Sequence, residues 1–211
     1  IFKPIRNTFY CICYHLYMNR FKTKTFLKLY IKYMVSLRCN KLVRSELLKL
    51  GIRIVRIEPG EVEFEDALKQ TQLVSLNERV SKLGMEILDD VQGKLMTEVI
   101  EEIKKKIYSK NANPSMEFLE KTCDNAGHDF NVVTNLFSEV KGIHLPQYIV
   151  IQRIERAKEM LIYEDWTLIQ ISKLLDYKNP AQLTRIFKKI TGLTPFYYKQ
   201  LRKKRLAIFK E

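Results

Sequence analysis

The C-terminal half of the sequence contains two copies of one pattern, fifty residues apart. Residues 133–148 read VTNLFSEVKGIHLPQY, and residues 183–198 read LTRIFKKITGLTPFYY. Four residues keep their identity at this offset: Thr134, Phe137, Gly142 and Tyr148 match Thr184, Phe187, Gly192 and Tyr198. Self-similarity at a fixed offset indicates two copies of one structural unit, so both copies are expected to fold in the same way.

The apolar residues of each copy recur with the spacing of an α-helix. In the first copy they are Val133, Leu136, Phe137 and Val140, and a glycine follows each helical segment, as is common at helix ends. A further helical segment precedes each copy, SMEFLEKTCDNAG before the first and TLIQISKLLDY before the second. Helix, short turn and helix is the helix-turn-helix arrangement, whose second helix enters the major groove of DNA.

The segment between the copies, PQYIVIQRIERAKEMLIYED, has a single apolar stripe formed by Val150, Ile154, Ala157 and Leu161. This spacing predicts one long helix, at about residues 147–163. The helix would join a first helix-turn-helix unit at about 114–142 to a second at about 167–192, within an all-α domain at 114–211.

Residues 27–90 mix the patterns of strands and helices. LKLYIK alternates apolar and basic residues, and IRIVRIEPGEVEFE reads as a hairpin around Pro59 and Gly60. CNKLVRSELLKLG and LVSLNERVSKLG read as helices that end at glycine, and MEIL reads as a short strand. The order β-α-β-β-α-β is the ferredoxin-like arrangement. We therefore predict an α+β protein with a ferredoxin-like domain at 27–90, a connector helix and linker at 91–113, and the tandem helix-turn-helix domain.

The first 26 residues do not continue this pattern. They read IFKPIRNTFYCICYHLYMNRFKTKTF and include no initiator Met at the start. We expect this leader, residues 1–26, to lie outside the native fold and residues 1–17 to be dispensable. The four cysteines have no disulfide-framework spacing, and no apolar run approaches the ~20 residues of a membrane span. A reducing cytoplasm and no membrane partner are expected.

The segment MVSLRC at residues 34–39 lies between the first predicted strand and helix. Residues 28–90 resemble a heavy-metal-associated domain of the copper-chaperone kind, in which this loop reads M-x-C-x-x-C. Met34 and Cys39 match that motif, but Ser36 replaces its first cysteine. Tight copper(I) binding in this geometry needs two soft thiolates, so we expect a scaffold without its metal and no cofactor. Cys39 is interpreted as a small hydrophobe at a helix N-terminus, and a redox or bridging role stays open.

Residues 114–205 resemble the DNA-binding domain of AraC/XylS-family transcription regulators. The second unit is the specific part, with Ile171-Ser172, Phe187-Lys188 and Gly192-Leu-Thr-Pro195 at the family's signature positions. The usual Gly-Phe before the recognition helix is Asp176-Tyr177 here, and Asp tolerates a left-handed backbone. The resemblance implies sequence-specific binding of double-stranded DNA and regulation of transcription. Eleven Lys and Arg against four acidic residues in 161–211 agree with a polyanion partner.

Candidate DNA-binding residues follow from the helix faces opposite the apolar stripes. In the second unit they are Asn179, Ala181, Gln182, Thr184, Arg185, Lys188 and Lys189, and in the first Asn131, Thr134 and Asn135. Arg185 can form a bidentate contact with guanine and Gln182 with adenine, whereas Lys188 and Lys189 suit phosphates. The first face has no cation and includes Glu139, so we predict that the second unit supplies most of the affinity.

One alternative function is a metal- or ligand-handling module of the copper-chaperone kind with a helical interaction tail. An enzyme is not expected, because His15, His128 and His144 lack metal-ligand spacing and neither G-x-S-x-G nor a phosphate-binding loop occurs. A small-molecule or protein effector at the N-terminal domain and a homodimer both stay open.

Overall fold

A computed structural model of the chain describes residues 27–109, 116–125, 127–163 and 166–208. The leader, residues 1–26, lies outside the described residues. The strands are β1 (Leu27–Lys32), β2 (Ile54–Glu58), β3 (Glu61–Phe64) and β4 (Glu86–Ile87). The helices are α1 (Leu37–Lys49), α2 (Gln70–Lys82), α3 (Asp90–Ile107), α4 (Met116–Asn125), α5 (Phe130–Lys141), α6 (Leu145–Tyr163), α7 (Leu168–Leu174), α8 (Pro180–Thr191) and α9 (Pro195–Ile208). The described chain is therefore mostly helical, with one small sheet.

The four strands form an antiparallel sheet in the order β2-β3-β1-β4. Leu27 pairs with Phe64 and Ile31 with Ile87, so β1 is a central strand. The order of elements from β1 to β4 is β-α-β-β-α-β, as the sequence predicted. Alternation along β1 points Ile31 to one face of the sheet and Tyr30 to the other, and both faces are covered by helices.

The loop that contains MVSLRC contributes to the fold itself. Ser36 is the N-cap of α1, and its Oγ accepts a hydrogen bond from the backbone N–H of Cys39 at 3.2 Å. Met34 is fully buried in the core between the sheet and the helices α1 and α2. The Ser36 hydroxyl also donates to Cys39 Sγ at 3.2 Å, which lowers the pKa of that half-buried thiol. Serine at this position therefore satisfies a backbone donor that a helix start would otherwise leave free.

Buried side chains form three clusters in the described part of the chain. The first lies between one sheet face and the helices α1 and α2. The second joins Tyr30 and Leu88, on the other side of the sheet, to α3, α4, α5 and the start of α6. The third consists of the rest of α6 with α7 and α8. The first helix-turn-helix unit thus shares a core with the sheet, whereas the second has a core of its own.

The C-terminal end of α5 lies directly on the β2–β3 hairpin and the β1–α1 loop. A Cβ at Gly60 would lie 2.0 Å from the carbonyl oxygen of Val140, so only glycine allows this approach. A Cβ at Gly142 would lie 2.6 Å from Val35 Cγ1. The backbone N–H of Tyr33, a residue in the left-handed region (φ 65°), donates to the carbonyl of Glu139 at 2.9 Å. Backbone contacts therefore fix the position of this helix end.

A buried ion pair reinforces this contact. Lys141 Nζ lies 2.6 Å from Glu61 Oε2, and the two side chains are only 10% and 14% exposed. Lys28 Nζ is 3.3 Å from carboxylate oxygens of Glu61 and Glu63. Burial disfavours the charged form of Glu61, but attraction to Lys141 and Lys28 is stronger, so the pKa of this carboxyl lies below its ordinary value.

The two copies of the sequence repeat have the same local structure, which confirms that prediction. Asp129 and Asn179 cap α5 and α8, and Gly142 and Gly192 end them in left-handed conformations. Each buried phenylalanine makes an edge contact with a tyrosine, with ring centroids 5.0 Å apart for Phe137–Tyr148 and 5.5 Å for Phe187–Tyr198. Asp176 has φ 56°, the left-handed conformation expected at this turn.

Some expected core positions lie at the surface instead. Ile190 is 36% exposed, because it lies on a shallow groove between α8 and the N-terminal half of α6. Leu42 of α1 and Leu83, the residue that follows α2, are each 39% exposed. Helical periodicity identified the apolar side of these helices, but not where contact with the neighbouring element ends.

Phe137→Ala and Phe187→Ala should each lower the free energy of unfolding by about 3–5 kcal/mol, because each removes a fully buried ring. Urea denaturation followed by circular dichroism measures the change. Val132→Ala, at a residue of α5 that is 58% exposed, is the matched control and should change stability little. Near-wild-type stability of both phenylalanine variants would contradict their equivalence as core residues.

Glu61→Gln should lower the free energy of unfolding by about 3 kcal/mol at pH 7, because it leaves Lys141 buried without its full counter-charge. The folded-state pKa of Glu61 is depressed, so its stabilisation is complete above the unfolded pKa and is lost as pH falls through the folded pKa. Urea unfolding from pH 7 to pH 3 should show wild type and variant converging at the acidic end. Glu117→Gln, in a solvent-exposed pair with Lys121, should show no such convergence.

Candidate nucleic-acid interface

Helix α8 presents a polar face to solvent because the apolar residues on its other side are buried in the core. Leu183 and Phe187 are fully buried against α6 and α7. The opposite side exposes Ala181, Arg185, Lys188 and Lys189. Asn179 starts the helix by accepting a hydrogen bond from Gln182 N–H at 2.8 Å, and Pro180 occupies the first helical turn, where its missing N–H costs nothing. The core contacts and the cap together fix which side chains point outward.

The exposed face of α8 is positively charged and has no counter-ion on its own helix. The sequence of α8, PAQLTRIFKKIT, contains no acidic residue. Within the ranges that the structure describes, Arg185, Lys188 and Lys189 form no ion pair. Three unpaired cations on one side of a helix produce a local positive potential that attracts polyanions.

Gln182 and Thr184 lie at the edge of this face and are half-buried. The side-chain oxygen of Gln182 accepts a hydrogen bond from the backbone N–H of Lys178 at 2.8 Å, so it helps to hold the start of α8. A bidentate contact with adenine uses both the oxygen and the NH₂ group of the amide. Gln182 would therefore have to release Lys178 before it could read adenine in that way.

Helix α5 instead presents two amides, and no unpaired cation among the described residues, on its outward face. Asn131 and Asn135 are exposed, and their side chains make no hydrogen bond to the described residues. The hydroxyl of Thr134, which is half-buried, donates to the carbonyl of Asn131 at 3.1 Å. The hydroxyl of Ser138 donates to the carbonyl of Thr134 at 2.9 Å. The two amides are therefore the polar groups of this face that remain available to a ligand.

The outward stripe of α5 ends against the sheet. Asn131, Asn135 and Glu139 follow one another at i+4 spacing, and Glu139 Oε2 lies 3.4 Å from Lys32 Nζ of β1. Sequence reasoning missed Lys32 as a neighbour of this face, because about a hundred residues separate it from α5. The single cation of α5, Lys141, is held in the buried pair with Glu61.

Helix α6 sets the separation of the two units. It has 19 residues, so it is about 28 Å long. Its first half packs in the core shared with α5, and its second half packs against α7 and α8. The end of α3 also holds it, since the Tyr108 hydroxyl donates to the Glu159 carboxylate at 2.7 Å and the Arg156 guanidinium lies 4.8 Å from the Tyr108 ring centroid. The relative position of the two polar faces therefore depends on one continuous helix.

No group of three or more His, Cys, Asp or Glu side chains in the described ranges could hold a metal ion. No described helix has the length and apolar character needed to cross a membrane.

Comparison with known proteins places a family match on this region. Residues 124–201 match a family described as a helix-turn-helix domain. A segment of 70 residues is 34% identical to an uncharacterized HTH-type transcriptional regulator, YtdP of Bacillus subtilis, and covers 33% of this chain and 9% of that protein. A segment of 65 residues is 38% identical to the F1 operon positive regulatory protein of Yersinia pestis, and covers 31% of this chain and 22% of that protein.

Solved structures with a related shape are more distant in sequence. A transcriptional regulator of Chromobacterium violaceum, described as containing an AraC-type DNA-binding domain, aligns at 15% identity with a TM-score of 0.47. That alignment covers 54% of this chain and 96% of the other. The chain spans less than two thirds of the length of each curated relative that it matches. Residues 124–201 are thus a helix-turn-helix domain similar to those of bacterial transcription regulators.

Proposed function

We propose that this protein is a transcription regulator that binds double-stranded DNA in a sequence-specific manner through two helix-turn-helix units. The observation that carries the proposal is the outward face of α8, where Arg185, Lys188 and Lys189 are exposed and have no ion-pair partner among the described residues. Helix α8 is the second helix of the second helix-turn-helix unit, within the residues that match the helix-turn-helix family. The second helix of this motif is the one that enters the major groove.

The residues of α8 have different roles in this proposal. Arg185 forms a bidentate contact with guanine, because its guanidinium fork matches the two acceptors that guanine exposes in the major groove. Lys188 and Lys189 contact phosphates, which set affinity and register. Ala181 and Thr184 offer apolar contact to a thymine methyl group, and Asn179 and Gln182 mainly hold the start of the helix against the DNA.

The first unit has a smaller share in affinity. Asn131 and Asn135 can read adenine through their amides, and Thr134 lies beside them on α5. Such contacts neutralise no phosphate, so they contribute specificity more than affinity. The two faces would occupy successive major grooves, roughly 34 Å apart.

For the N-terminal region we infer a ferredoxin-like scaffold without the metal site of the copper-chaperone domains that residues 28–90 resemble. The strand order β4-β1-β3-β2 supports this inference, because it is the order that a β-α-β-β-α-β chain adopts in that fold. Ser36 supports the loss of metal, because it caps α1 where the first thiolate would stand. This unit would serve regulation or oligomerisation in a cytoplasmic, non-enzymatic protein, with an effector or a second copy of the chain as partner.

Arg185→Ala should weaken binding to a selected duplex by about 1–3 kcal/mol and relax the preference at one base pair. The measurement is equilibrium binding to a site selected from random duplex DNA, followed by binding to all four variants of that base pair. Arg53→Ala, at an exposed residue of the N-terminal unit, is the control and should leave both quantities unchanged. Unchanged specificity in Arg185→Ala would remove α8 as the reading helix.

Lys189→Ala should weaken binding to selected and scrambled duplexes alike, because a phosphate contact carries no sequence information. It should also reduce the slope of log affinity against log salt by about one unit. A salt series with both duplexes provides the measurement.

Asn135→Ala should cost less affinity than Arg185→Ala and should leave the salt slope unchanged, because an amide releases no counter-ion. The same salt series tests this. If Asn135→Ala is the more damaging of the two changes, the first unit is the principal reader and the proposed division between the units is wrong.

A further inference from the structure

The recognition helix of the first unit, α5, has no unpaired cation for the DNA backbone among the described residues, and Lys121 of α4 pairs with Glu117. The face of α5 consists of amides, hydroxyls and the Glu139 carboxylate, which pairs with Lys32, and Lys141 is engaged with Glu61 in a buried pair. Phosphate contacts normally hold a recognition helix in its groove. If α5 lies in a major groove, the cations that hold it there must come from a neighbouring element.

Helix α1 carries such cations. Arg38, Lys41 and Arg44, hereafter the α1 patch, recur every third residue and are all exposed. Within the described part of the chain they form no ion pair. Glu46 is the one acidic residue of α1, and Lys49 and Arg79 already neutralise it at 2.5 and 2.9 Å. The α1 patch is therefore positive without a counter-ion of its own.

The first turn of α1 begins next to the C-terminal end of α5. The outward stripe Asn131, Asn135 and Glu139 ends at β1, where Lys32 pairs with Glu139 and the Tyr33 N–H donates to the Glu139 carbonyl. Val35, which follows in the chain, lies beside Gly142 at the end of α5. The next residue, Ser36, caps the first turn of α1. A duplex that extends along α5 beyond its C-terminal end would therefore pass the first turn of α1, which carries Arg38.

We propose that the α1 patch binds phosphates of the DNA that flanks the site contacted by α5, so that the N-terminal unit forms part of the DNA interface. This proposal rests on the proposed function, and it supplies the phosphate contacts that the first unit lacks. The exposed Leu37 and Leu48 of α1 would also suit an anionic membrane surface. The first turn of α1 lies next to the end of α5, which favours DNA, and the membrane is an outcome of the test.

The test compares the full chain with the triple variant Arg38→Ala, Lys41→Ala, Arg44→Ala in a salt series with a selected duplex. Each neutralised phosphate contributes about 0.9 to the salt slope, so the slope should fall by about two to three units. Selected and scrambled duplexes should lose affinity by the same factor. A charge-preserving variant, Arg38→Lys, Lys41→Arg, Arg44→Lys, should keep the wild-type slope.

Matched controls separate this effect from a loss of net charge or of folding. The double variant Arg53→Ala, Lys69→Ala removes two exposed cations. Arg53 lies next to Ile54, which pairs with Phe64, and Phe64 also pairs with Leu27 at the start of β1. Arg53 is therefore at the opposite end of the sheet from Lys32, where α5 makes its contact. That double variant should keep the wild-type slope. The triple variant should unfold at the wild-type temperature, because its three side chains are exposed.

Shortening the duplex locates the contact. The duplex is trimmed from each end in turn. Trimming at the flank that contacts α1 should abolish the difference in salt slope between wild type and the triple variant, and trimming at the other flank should not. An unchanged slope in the triple variant, with Arg185→Ala still impaired, overturns the α1 patch and leaves the proposed function intact. If the triple variant loses the binding to anionic phosphatidylserine vesicles that wild type shows, and its DNA binding is unchanged, the α1 patch is a membrane-binding surface and the proposal is overturned. Absence of any duplex binding by wild type overturns both proposals.

Discussion

The ion pair between Lys141 and Glu61 joins the two halves of the molecule. Both side chains are almost completely withdrawn from water, so the attraction between them is offset by the cost of removing two charges from solvent. Such a pair adds little to overall stability, but it strongly disfavours any arrangement that leaves either charge buried alone. The first helix-turn-helix unit is therefore held in one orientation on the hairpin, and Lys28 on β1 strengthens that preference.

This arrangement gives α6 two different surroundings along its length. Leu145 and Ile149 belong to the core that includes the sheet residue Tyr30, whereas Ile154 to Leu161 belong to the core of the second unit. A helix resists bending because its backbone hydrogen bonds are continuous over its length. The core shared with the sheet and the core of the second unit are thus connected through one continuous helix.

Much of this architecture could be predicted from the sequence, because it follows from local periodicity. The repeat at an offset of fifty predicted α5 and α8 with the glycines that end them, and the left-handed conformation at Asp176 was expected from its chemistry. The order of strands and helices in the N-terminal unit followed from alternation and glycine positions. These signals are carried by residues that are close together in the chain.

The candidate site could be predicted only in part, because its environment depends on distant contacts. Periodicity gave the outward residues of α8, but not that Gln182 holds the backbone of Lys178 or that Ile190 borders a groove. The pair of Lys141 with Glu61 joins residues eighty positions apart, and no local pattern marks it. Likewise, Ser36 appeared as a missing metal ligand, whereas its role as a helix cap depends on the conformation of the loop.

The close approach at Gly60 has a consequence for how this protein can be recombined with others. The hairpin meets the backbone of Val140 without room for any side chain, and Gly142 meets Val35 in the same tight manner. A chimera that took both helix-turn-helix units from another regulator would have to bring a matching hairpin and loop with them. The second unit has its own core, so a junction within α6, between Ile149 and Ile154, divides the chain into parts that keep their core contacts. The contacts of Tyr108 with Arg156 and Glu159 cross this junction and would have to be preserved. The chain is therefore modular at the middle of a helix rather than at a linker.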